Sequence, residues 1–435
     1  MRKSFVAAAL TASALTLASC AMPADDPNYG GATGAGEEID AAVASANAAD
    51  QASLEDALLP PTSIGVDAPL TAAPASGGSI VSFTNGSEFE GVFETSLAEA
   101  ADVLGWTVET VTIDPADPTS TATAFDDAVA TSPAGIHITG DMVDSLTESL
   151  SSATAAGIPI VCTGCSSEPP IDGVDVSIDG TDQNLFWANV LASYVNNNQY
   201  SGEDAGVQVF TIPGGALADF NLEFATSLTD QCRNCSASES LIDPTLLDVT
   251  DAVGVADFVS SEMSLALGSW ALLDSGALSN GSADALANDP LALTPIVVIG
   301  RGASAADIAS MQAASGSVPA VEASPGADAA SSEASPAADA ASADVGTEGD
   351  VAVEGRTPEE ALALQAWIGI PEPVMAWRVI DQFARIIGGD EPSTGPLPSQ
   401  LLTAGTIAEA ALDDNGDYIG IADYQDQFKA LWGVQ

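Results

Sequence analysis

Four cysteines lie in two C-x-x-C units, Cys162 with Cys165 and Cys232 with Cys235. Thiols at this spacing form disulfides, hold zinc in a four-thiolate site, or act as a redox couple beside a βαβ unit. The N-terminus, described below, predicts export from the cell, where disulfides are the default. We therefore expect two disulfides, and zinc binding and redox activity remain as alternatives.

His137 is the only histidine and lies inside the short apolar run AGIHITG. Its alternation with Ile136 and Ile138 favours a histidine hydrogen-bonded within a sheet, because a metal site would need partners that no HxH or HxxxH pattern supplies. A Ser-His-Asp arrangement would depend on this one residue, and the sequence has neither a GxSxG nucleophile elbow nor a P-loop. Paired carboxylates for glycoside hydrolysis have no local signature. We predict a protein that is not an enzyme and needs no cofactor or metal.

Arg301 is one of eight basic side chains and directly follows the apolar run IVVIG. At the end of a strand, a guanidinium is placed to clamp a carboxylate or ligand hydroxyls in a bidentate manner. An ion pair with one of the many acids is the equal alternative. Asp381 and Arg385, four residues apart on a helical pattern, are expected to form a surface ion pair.

The charge balance is strongly acidic, with 62 acidic against 8 basic side chains and a formal net charge of −54. Such a field repels phosphate backbones and anionic lipid surfaces, so it argues against nucleic-acid binding. Self-repulsion on this scale destabilises a compact chain, and salt screens it. We therefore expect a halophilic producer and a fold that is more stable at high salt.

The N-terminus has the three parts of a secretion signal: Arg2 and Lys3, an apolar run from Phe5 to Leu17, and small residues up to Cys20. The run is too short for a membrane span of about 30 Å. Its ending, Leu-Ala-Ser-Cys, resembles the lipobox of bacterial lipoproteins, which implies that Cys20 is lipidated. Residues 21–76 are rich in Ala, Asp, Gly and Pro and are expected to form a disordered acidic tether.

Further along the chain, short apolar runs alternate with helical patterns, which predicts parallel sheets with helices on both faces. The pattern runs to about residue 182, restarts, and is interrupted at 316–355 by an Ala/Ser/Pro/Asp-rich stretch that we expect to be a disordered insertion. Two α/β lobes are implied. The strand runs include GSIVSFTNG, WTVETVTID, AGIHITG, GIPIVCTG, GVDVSID, AGVQVFTIPGG, LTPIVVIGRGAS and SQLLT, whereas GVADFVSSEMSLALGSWALLDSG is expected to supply one helix.

Several stretches resemble the type I periplasmic-binding proteins, the ribose-binding-like receptors of ABC importers. This resemblance, carried mainly by the order of the elements, spans about residues 78–435 and implies two three-layer αβα lobes joined by a three-segment hinge. The passages between lobes would lie near 179–184, 368–372 and 401–406. The matching stretches are AADVLGWTVETVTID, AGIHITGDMVDSLTESLSSATAAGIPIV, VVIGRGASAADIASMQAA, WRVIDQFARIIGGDEP and YQDQFKALWGVQ.

In that fold the ligand lies between the lobes, outside the carboxyl ends of the strands, where loops and helix N-termini offer donors. Sugar-binding members stack aromatic rings on the sugar and hold its hydroxyls with charged side chains. The corresponding candidates here are Asn85, Glu88, Phe89, Asp141, Thr163, Phe220, Glu262, Trp270, Arg301 and Trp367.

The sequence departs from the family pattern at three ligand positions. Gly164-Cys165 stands where the family has an Asp-Arg pair, and Arg301-Gly302 stands where it has an Asp-Gly. At about the position where the family has an arginine at the start of a second-lobe helix, this sequence has Phe220. These departures leave the ligand open between a sugar and another small polar compound.

The resemblance implies a monomeric solute-binding protein, anchored outside the cell through Cys20, that delivers a small ligand to an ABC permease. The alternative is a sensor that presents its closed form to a membrane receptor. The expected segments are a signal peptide at 1–20, the tether at 21–76, a first lobe at 77–182 and 371–403, and a second lobe at 183–370 to which 404–435 returns.

Overall fold

The structure is a computed structural model of the 435-residue chain. The signal segment, Cys20, the first part of the tether and residues 318–355 of the insertion lie outside the residues that it describes. No helix in the described part is long and apolar enough to span a membrane. The described residues are 49–85, 88–113, 117–166, 170–199, 206–212, 217–232, 235–242, 252–265, 270–278, 282–289, 295–317 and 356–434.

The first sheet has five strands in the order β2-β1-β3-β4-β5, and every pairing is parallel. The runs that form its centre are almost fully buried, as expected for strands covered by helices on both faces. Its strands are β1 (Ser79–Thr84), β2 (Thr107–Thr112), β3 (Gly135–Thr139), β4 (Ile160–Thr163) and β5 (Val176–Ile178).

The second sheet has six strands in the order β11-β10-β9-β8-β6-β7, parallel except for the antiparallel β10–β11 pair. Its centre is again buried on both faces. The predicted α/β class with two mostly parallel sheets is confirmed. The strands are β6 (Gly206–Thr211), β7 (Ser236–Leu241), β8 (Trp270–Leu273), β9 (Val297–Arg301), β10 (Ala366–Gly369) and β11 (Gln400–Thr403).

The helices cover both sheets. The one before β1 is described over residues 49–57 and is called α1 here. The others are α2 (Glu88–Val103), α3 (Pro118–Ala130), α4 (Val143–Leu146), α5 (Ser149–Ala156), α6 (Thr181–Asn197), α7 (Ala218–Gln231), α8 (Ala252–Leu265), α9 (Ser282–Ala287), α10 (Ala305–Ala314), α11 (Pro358–Ala363), α12 (Glu372–Gly388) and α13 (Tyr424–Trp432).

Each sheet has its own hydrophobic cores, and these define two lobes. The first lobe holds β1–β5 with α2, α3, α12 and α13, where Trp377 and Trp432 stack with ring centroids 5.3 Å apart. The second lobe holds β6–β11 with α6–α11. Core packing of α12 through Trp377, Val379, Ile380 and Phe383 follows its apolar spacing.

The expected passage between lobes at 401–406 is wrong. The strand β11 pairs antiparallel with β10, so the chain has already returned to the second lobe over 389–399, after α12. The segment assigned to the second lobe at the C-terminus also divides, because Tyr418 packs in the second lobe whereas Tyr424 packs in the first.

The tether prediction is wrong for residues 49–76, which we call the strap. Its helix α1 buries Leu54 in the core of the second lobe, and its extended part buries Ile64 and Val66 in the first lobe. Arg378 donates to the carbonyl of Ile64, and Arg385 Nη2 donates to the carbonyl of Ala68 at 2.6 Å. The composition averaged over the segment predicts disorder, but these few buried contacts are enough to order it.

Two further expectations are corrected. The ion pair of Arg385 with Asp381 is buried rather than exposed, and Trp432 Nε1 donates to the same carboxylate at 2.9 Å. Residues Trp270–Leu273 form β8, a central strand, rather than part of a helix. An apolar run of four residues fits a buried strand and a buried helix equally well.

Candidate functional site

The second sheet has its topological switch point between β6 and β8. Ligands of open α/β sheets bind in the crevice outside the carboxyl ends of such strands. Here β6 ends at Thr211, and Asp274 directly follows β8. The Asp274 carboxylate accepts hydrogen bonds from Asn221 Nδ2 at 2.9 Å and from the Thr211 hydroxyl. Because Asn221 lies in the first turn of α7, three neighbouring elements meet at this one carboxylate.

Asp274 is only 3% exposed. Burial raises the pKa of its carboxyl group, while the hydrogen bonds from Thr211 and Asn221 and the charge of Arg301 act in the opposite direction. The group is thus a buried acceptor whose charge depends on its neighbours. A ligand hydroxyl or amine that donates to it would further favour the charged form.

An ion pair joins the two lobes beside Asp274. Arg301, the last residue of β9, donates through Nη2 to Asp179, which follows β5 of the first sheet. The two side chains are 13% and 5% exposed, so the pair is largely removed from water. Asp179 has a φ of 56°, a left-handed conformation that aspartate tolerates better than most residues. We call Asp179, Asn221, Asp274 and Arg301 the interlobe cluster.

The interlobe cluster carries buried polar atoms without a hydrogen-bond partner in the described part of the protein. They are Asp179 Oδ1, Asn221 Oδ1 and Arg301 Nε. Leaving such an atom unpaired costs about 1–3 kcal/mol, so folded proteins rarely keep several together outside functional sites. The cluster can therefore accept two further hydrogen bonds and donate one.

Close backbone packing fixes the end of β9, where Arg301 lies. A Cβ added to Gly276 would lie 2.6 Å from the carbonyl oxygen of Gly302, so the loops after β8 and β9 touch. Gly302 itself has a φ of +76°, which favours glycine. Behind them Trp367 packs against Gly300, where a Cβ would lie 2.5 Å from the indole ring. These contacts restrict where the guanidinium can point.

His137 belongs to a buried hydrogen-bond network in the first lobe, as predicted for a sheet histidine. Its Nδ1 lies 3.0 Å from Ser82 Oγ and its Nε2 lies 3.2 Å from Thr163 Oγ1, while Ser82 also donates to Glu94 at 3.0 Å. Burial lowers the pKa of His137 to about 3, so the ring is neutral at physiological pH. Within the described residues no group of histidine, cysteine and acidic side chains could hold a metal ion.

The structure distributes the other predicted ligand residues unevenly. Phe220, Trp270 and Trp367 lie in the hydrophobic cores of the second lobe, where no ring face is available for stacking. The hydroxyl of Thr163 is hydrogen-bonded to His137. The exposed carboxylate of Asp141 accepts a hydrogen bond from the hydroxyl of Thr139. Among the remaining candidates, Glu262 accepts from Ser240 at 3.3 Å on α8, Asn85 is half-buried after β1, and the side chains of Glu88 and Phe89 lie outside the described part.

Both predicted disulfides are formed, so the four cysteines of this structure are not arranged as a four-thiolate zinc site. Cys162 and Cys165, with Cα atoms 5.8 Å apart, lie at the carboxyl end of β4. Cys232 and Cys235, with Cα atoms 5.3 Å apart, connect the end of α7 to the start of β7.

Sequence reasoning missed Asp179, Asn221 and Asp274. The rule that led to Arg301, a polar residue directly after an apolar strand, applies equally to Asp179 in VDVSID and to Asp274 in WALLD. Asp274 was hidden because β8 was assigned to a helix. Asn221 has no such local signal, since its role depends on how the packing of α7 brings it to Asp274.

Comparison with known proteins shows the fold. No protein-family model and no curated protein matches the sequence. An ABC transporter solute-binding protein from Bradyrhizobium sp. BTAi1 with bound Bis-Tris aligns over 83% of this chain and 94% of its own, at 13% identity and a TM-score of 0.54. One from Agrobacterium vitis with bound allitol aligns over 77% and 98%, at 15% identity and a TM-score of 0.55.

A chain of the solved XylFII-LytSN complex also aligns, over 76% of this chain and 99% of its own, at 13% identity and a TM-score of 0.52. At such identities the likeness concerns the fold alone. The chain has the two-lobed α/β fold of the type I periplasmic-binding proteins.

Proposed function

We propose that the protein is an extracytoplasmic solute-binding protein that captures a sugar or a similar polyhydroxylated compound between its lobes and delivers it to an ABC permease. The proposal includes anchoring to the outer face of the membrane through lipidated Cys20. The observation that carries it is the interlobe cluster, in which unpaired buried polar atoms of Asp179 after β5, Arg301 at the end of β9 and Asn221 on α7 lie around the buried Asp274.

The chemistry of the cluster favours a ligand rich in hydroxyl groups. Asp179 and Asn221 offer acceptor oxygens, and the guanidinium of Arg301 is already paired with Asp179. A ligand carboxylate would find its one cation neutralised by an acid, whereas a hydroxyl can both donate and accept. The bound compounds of the two aligned binding proteins, Bis-Tris and allitol, both carry several hydroxyl groups.

Ligand capture would work through the difference in affinity between two arrangements of the lobes. A ligand that touches Asp179 on one lobe and Asp274 on the other stabilises the arrangement in which both contacts are made. Permease recognition of that arrangement would couple binding to delivery. No covalent step and no cofactor enter this mechanism.

The proposal is tested by thermal unfolding of residues 21–435 at high salt, in the presence of sugars, polyols, nucleosides and amino acids. One class of compound should raise the melting temperature in proportion to the logarithm of its concentration. Asp274→Ala should weaken the binding of that ligand by about 10-fold or more, since a buried hydrogen bond to a charged group is lost. Glu109→Gln, a change at an exposed residue of β2, is the control. Absence of any shift across the panel would overturn the proposal.

The second candidate is a sensor that presents its ligand-bound form to a membrane receptor. The XylFII-LytSN complex, in which a chain of this fold is solved together with a partner, supports this second candidate. Both candidates need the same cluster, so ligand binding does not separate them. Capture of partners from membranes with and without ligand does, because a sensor would retain a receptor and a transport protein would retain a permease.

A further inference from the structure

A cavity of about 280 Å³ lies in the second lobe between α7 and the strands β6 and β7. On the helix it is lined by Ala218, Leu222 and Ala225, which share one face because they are spaced four and three residues apart. On the sheet side the alternating residues Ala237, Glu239 and Leu241 of β7 line it, so a carboxylate lies between the two apolar side chains. The small alanine side chains on both walls leave the space between them.

The cavity shares a wall with the interlobe cluster. Thr211 and Asn221 line it, and both donate hydrogen bonds to Asp274. Asn221 is more than nine-tenths buried, and its Oδ1 has no partner among the described residues. A molecule bound at Asp274 is thus one side chain away from the cavity.

The rim of the cavity is exposed and combines two leucines with Ser238 and Glu239. Leu222 is 68% and Leu241 is 57% exposed, and they belong to the few large apolar side chains of the described part that face water. Apolar ligand surface placed between them would be removed from water together with these two side chains. The volume is ample for one aromatic ring, since a cavity of about 150 Å³ holds benzene.

We propose that this cavity is an apolar subsite of the ligand site, and that the ligand is a polyhydroxylated compound with a small apolar substituent, such as an alkyl or aryl glycoside. The inference rests on the proposed function, since the hydroxyl groups bind at Asp179 and Asp274. The substituent passes Asn221 and occupies the space between α7 and β7. Asn221 Oδ1 accepts a hydrogen bond from the hydroxyl nearest to the substituent.

The test is calorimetric titration of residues 21–435 with paired methyl and phenyl glycosides of glucose, galactose, mannose and ribose, with the free sugars and allitol alongside. In the pair that binds, the phenyl glycoside should bind on the order of tenfold more tightly, because a whole ring is buried. Equal affinities within every pair would overturn the subsite, as would binding of a free sugar or allitol with no glycoside bound. Absence of all binding would instead overturn the proposed function.

A variant that fills the cavity separates the subsite from a general preference for aromatic compounds. Ala225→Leu places extra volume in the cavity and should abolish the advantage of the phenyl glycoside, while the methyl glycoside keeps its affinity within about twofold. Thr226→Leu adds a similar apolar group at the next, exposed position of α7 and should leave the advantage intact. Loss of the phenyl preference in both variants, or in neither, would contradict the assignment.

Discussion

Arg301 and Asp179 form an ion pair to which each lobe contributes one member. Removing one partner of a buried pair leaves a charge without compensation, whereas removing both often costs little. Arg301→Ala should therefore lower the free energy of unfolding by about 3 kcal/mol, and Arg301→Ala with Asp179→Ala should lower it by much less. Urea is the suitable denaturant, because guanidinium chloride would screen the charges. Equal losses in Arg301→Ala and in the double variant would contradict this prediction, and Asp179→Ala completes the cycle that gives the coupling energy.

Asp274 gives a prediction about pH. Because burial raises its pKa in the folded state, its contribution to stability is fully present below the unfolded-state pKa and is lost as the pH rises through the folded-state pKa. Asp274→Asn keeps the acceptor oxygen for Asn221 and Thr211 but cannot become charged. The variant should thus gain free energy of unfolding relative to the wild type between pH 4 and pH 7, by about 1.4 kcal/mol for each unit of pKa shift.

Urea titrations of both proteins at a series of pH values measure this difference. The charges that act on Asp274 are Arg301, which lowers its pKa, and Glu239, which raises it. Glu239→Gln is the matched control, because it should reduce the pH-dependent loss without removing it. The prediction would be contradicted if the free energies of unfolding of the wild type and Asp274→Asn differed by the same amount at every pH from 4 to 7.

Residue chemistry was predictable only where it followed local pattern. Arg301 stands directly after an apolar strand, and His137 alternates with two isoleucines, so the sequence indicates the position of both. The partner of Arg301 was not predictable, because Asp179 is 122 residues away and one among 62 acids. The burial of Phe220, Trp270 and Trp367 has a related reason, since bulky apolar residues near a strand end fit a core as well as a binding site.

At the scale of elements, the strap connects the two lobes a further time. Its helix α1 packs in the second lobe, and Ile64 packs in the first, where Gly65 approaches Pro396 so closely that a Cβ would lie 2.3 Å from its carbonyl oxygen. Any change in the relative position of the lobes must therefore be accommodated in residues 58–63. Pro60 and Pro61 restrict the backbone there.

The strap yields a prediction about stability. Ile64→Ala removes a fully buried side chain, at 0% exposure, and should lower the free energy of unfolding by about 2–5 kcal/mol. Leu59→Ala changes a neighbouring strap residue that is 63% exposed and should stay within about 0.5 kcal/mol of the wild type. Urea unfolding monitored by tryptophan fluorescence measures both. A negligible effect of Ile64→Ala would mean that the strap does not pack on the first lobe in solution.

Strands bounded by polar residues were predictable as elements, because their apolar runs are short and their positions are regular. The strap was not, since its buried Leu54 and Ile64 lie ten residues apart in a segment rich in Ala and Pro. The strand β8 was not predictable for a different reason, because its four residues continue the helical pattern that precedes them. Both errors concern segments whose structure depends on a partner element that is distant in sequence.

At the scale of the whole molecule, the described basic side chains lie mainly in the interior. Every described arginine is buried or nearly so: Arg301 pairs with Asp179, Arg356 lies over the Trp270 ring at 5.3 Å, and Arg378 and Arg385 bind strap carbonyls. Lys429 is half-buried over Trp377 at 5.8 Å. The acids at the surface thus face one another, and their repulsion is reduced mainly by dissolved ions.

This distribution predicts a fold whose stability rises with salt. Raising the ionic strength shortens the screening length from about 10 Å at 0.1 M to about 3 Å at 1 M, so repulsion between surface carboxylates falls. The melting temperature should rise by on the order of 5 °C or more over this range, equally in NaCl and KCl and most steeply at the low end. Replacing Glu55, Asp56, Glu109, Asp126 and Asp127, all exposed, by their amides should raise stability at 0.1 M and flatten the salt dependence. A melting temperature that does not change between 0.1 and 1 M salt would show that surface repulsion does not limit the stability of this protein.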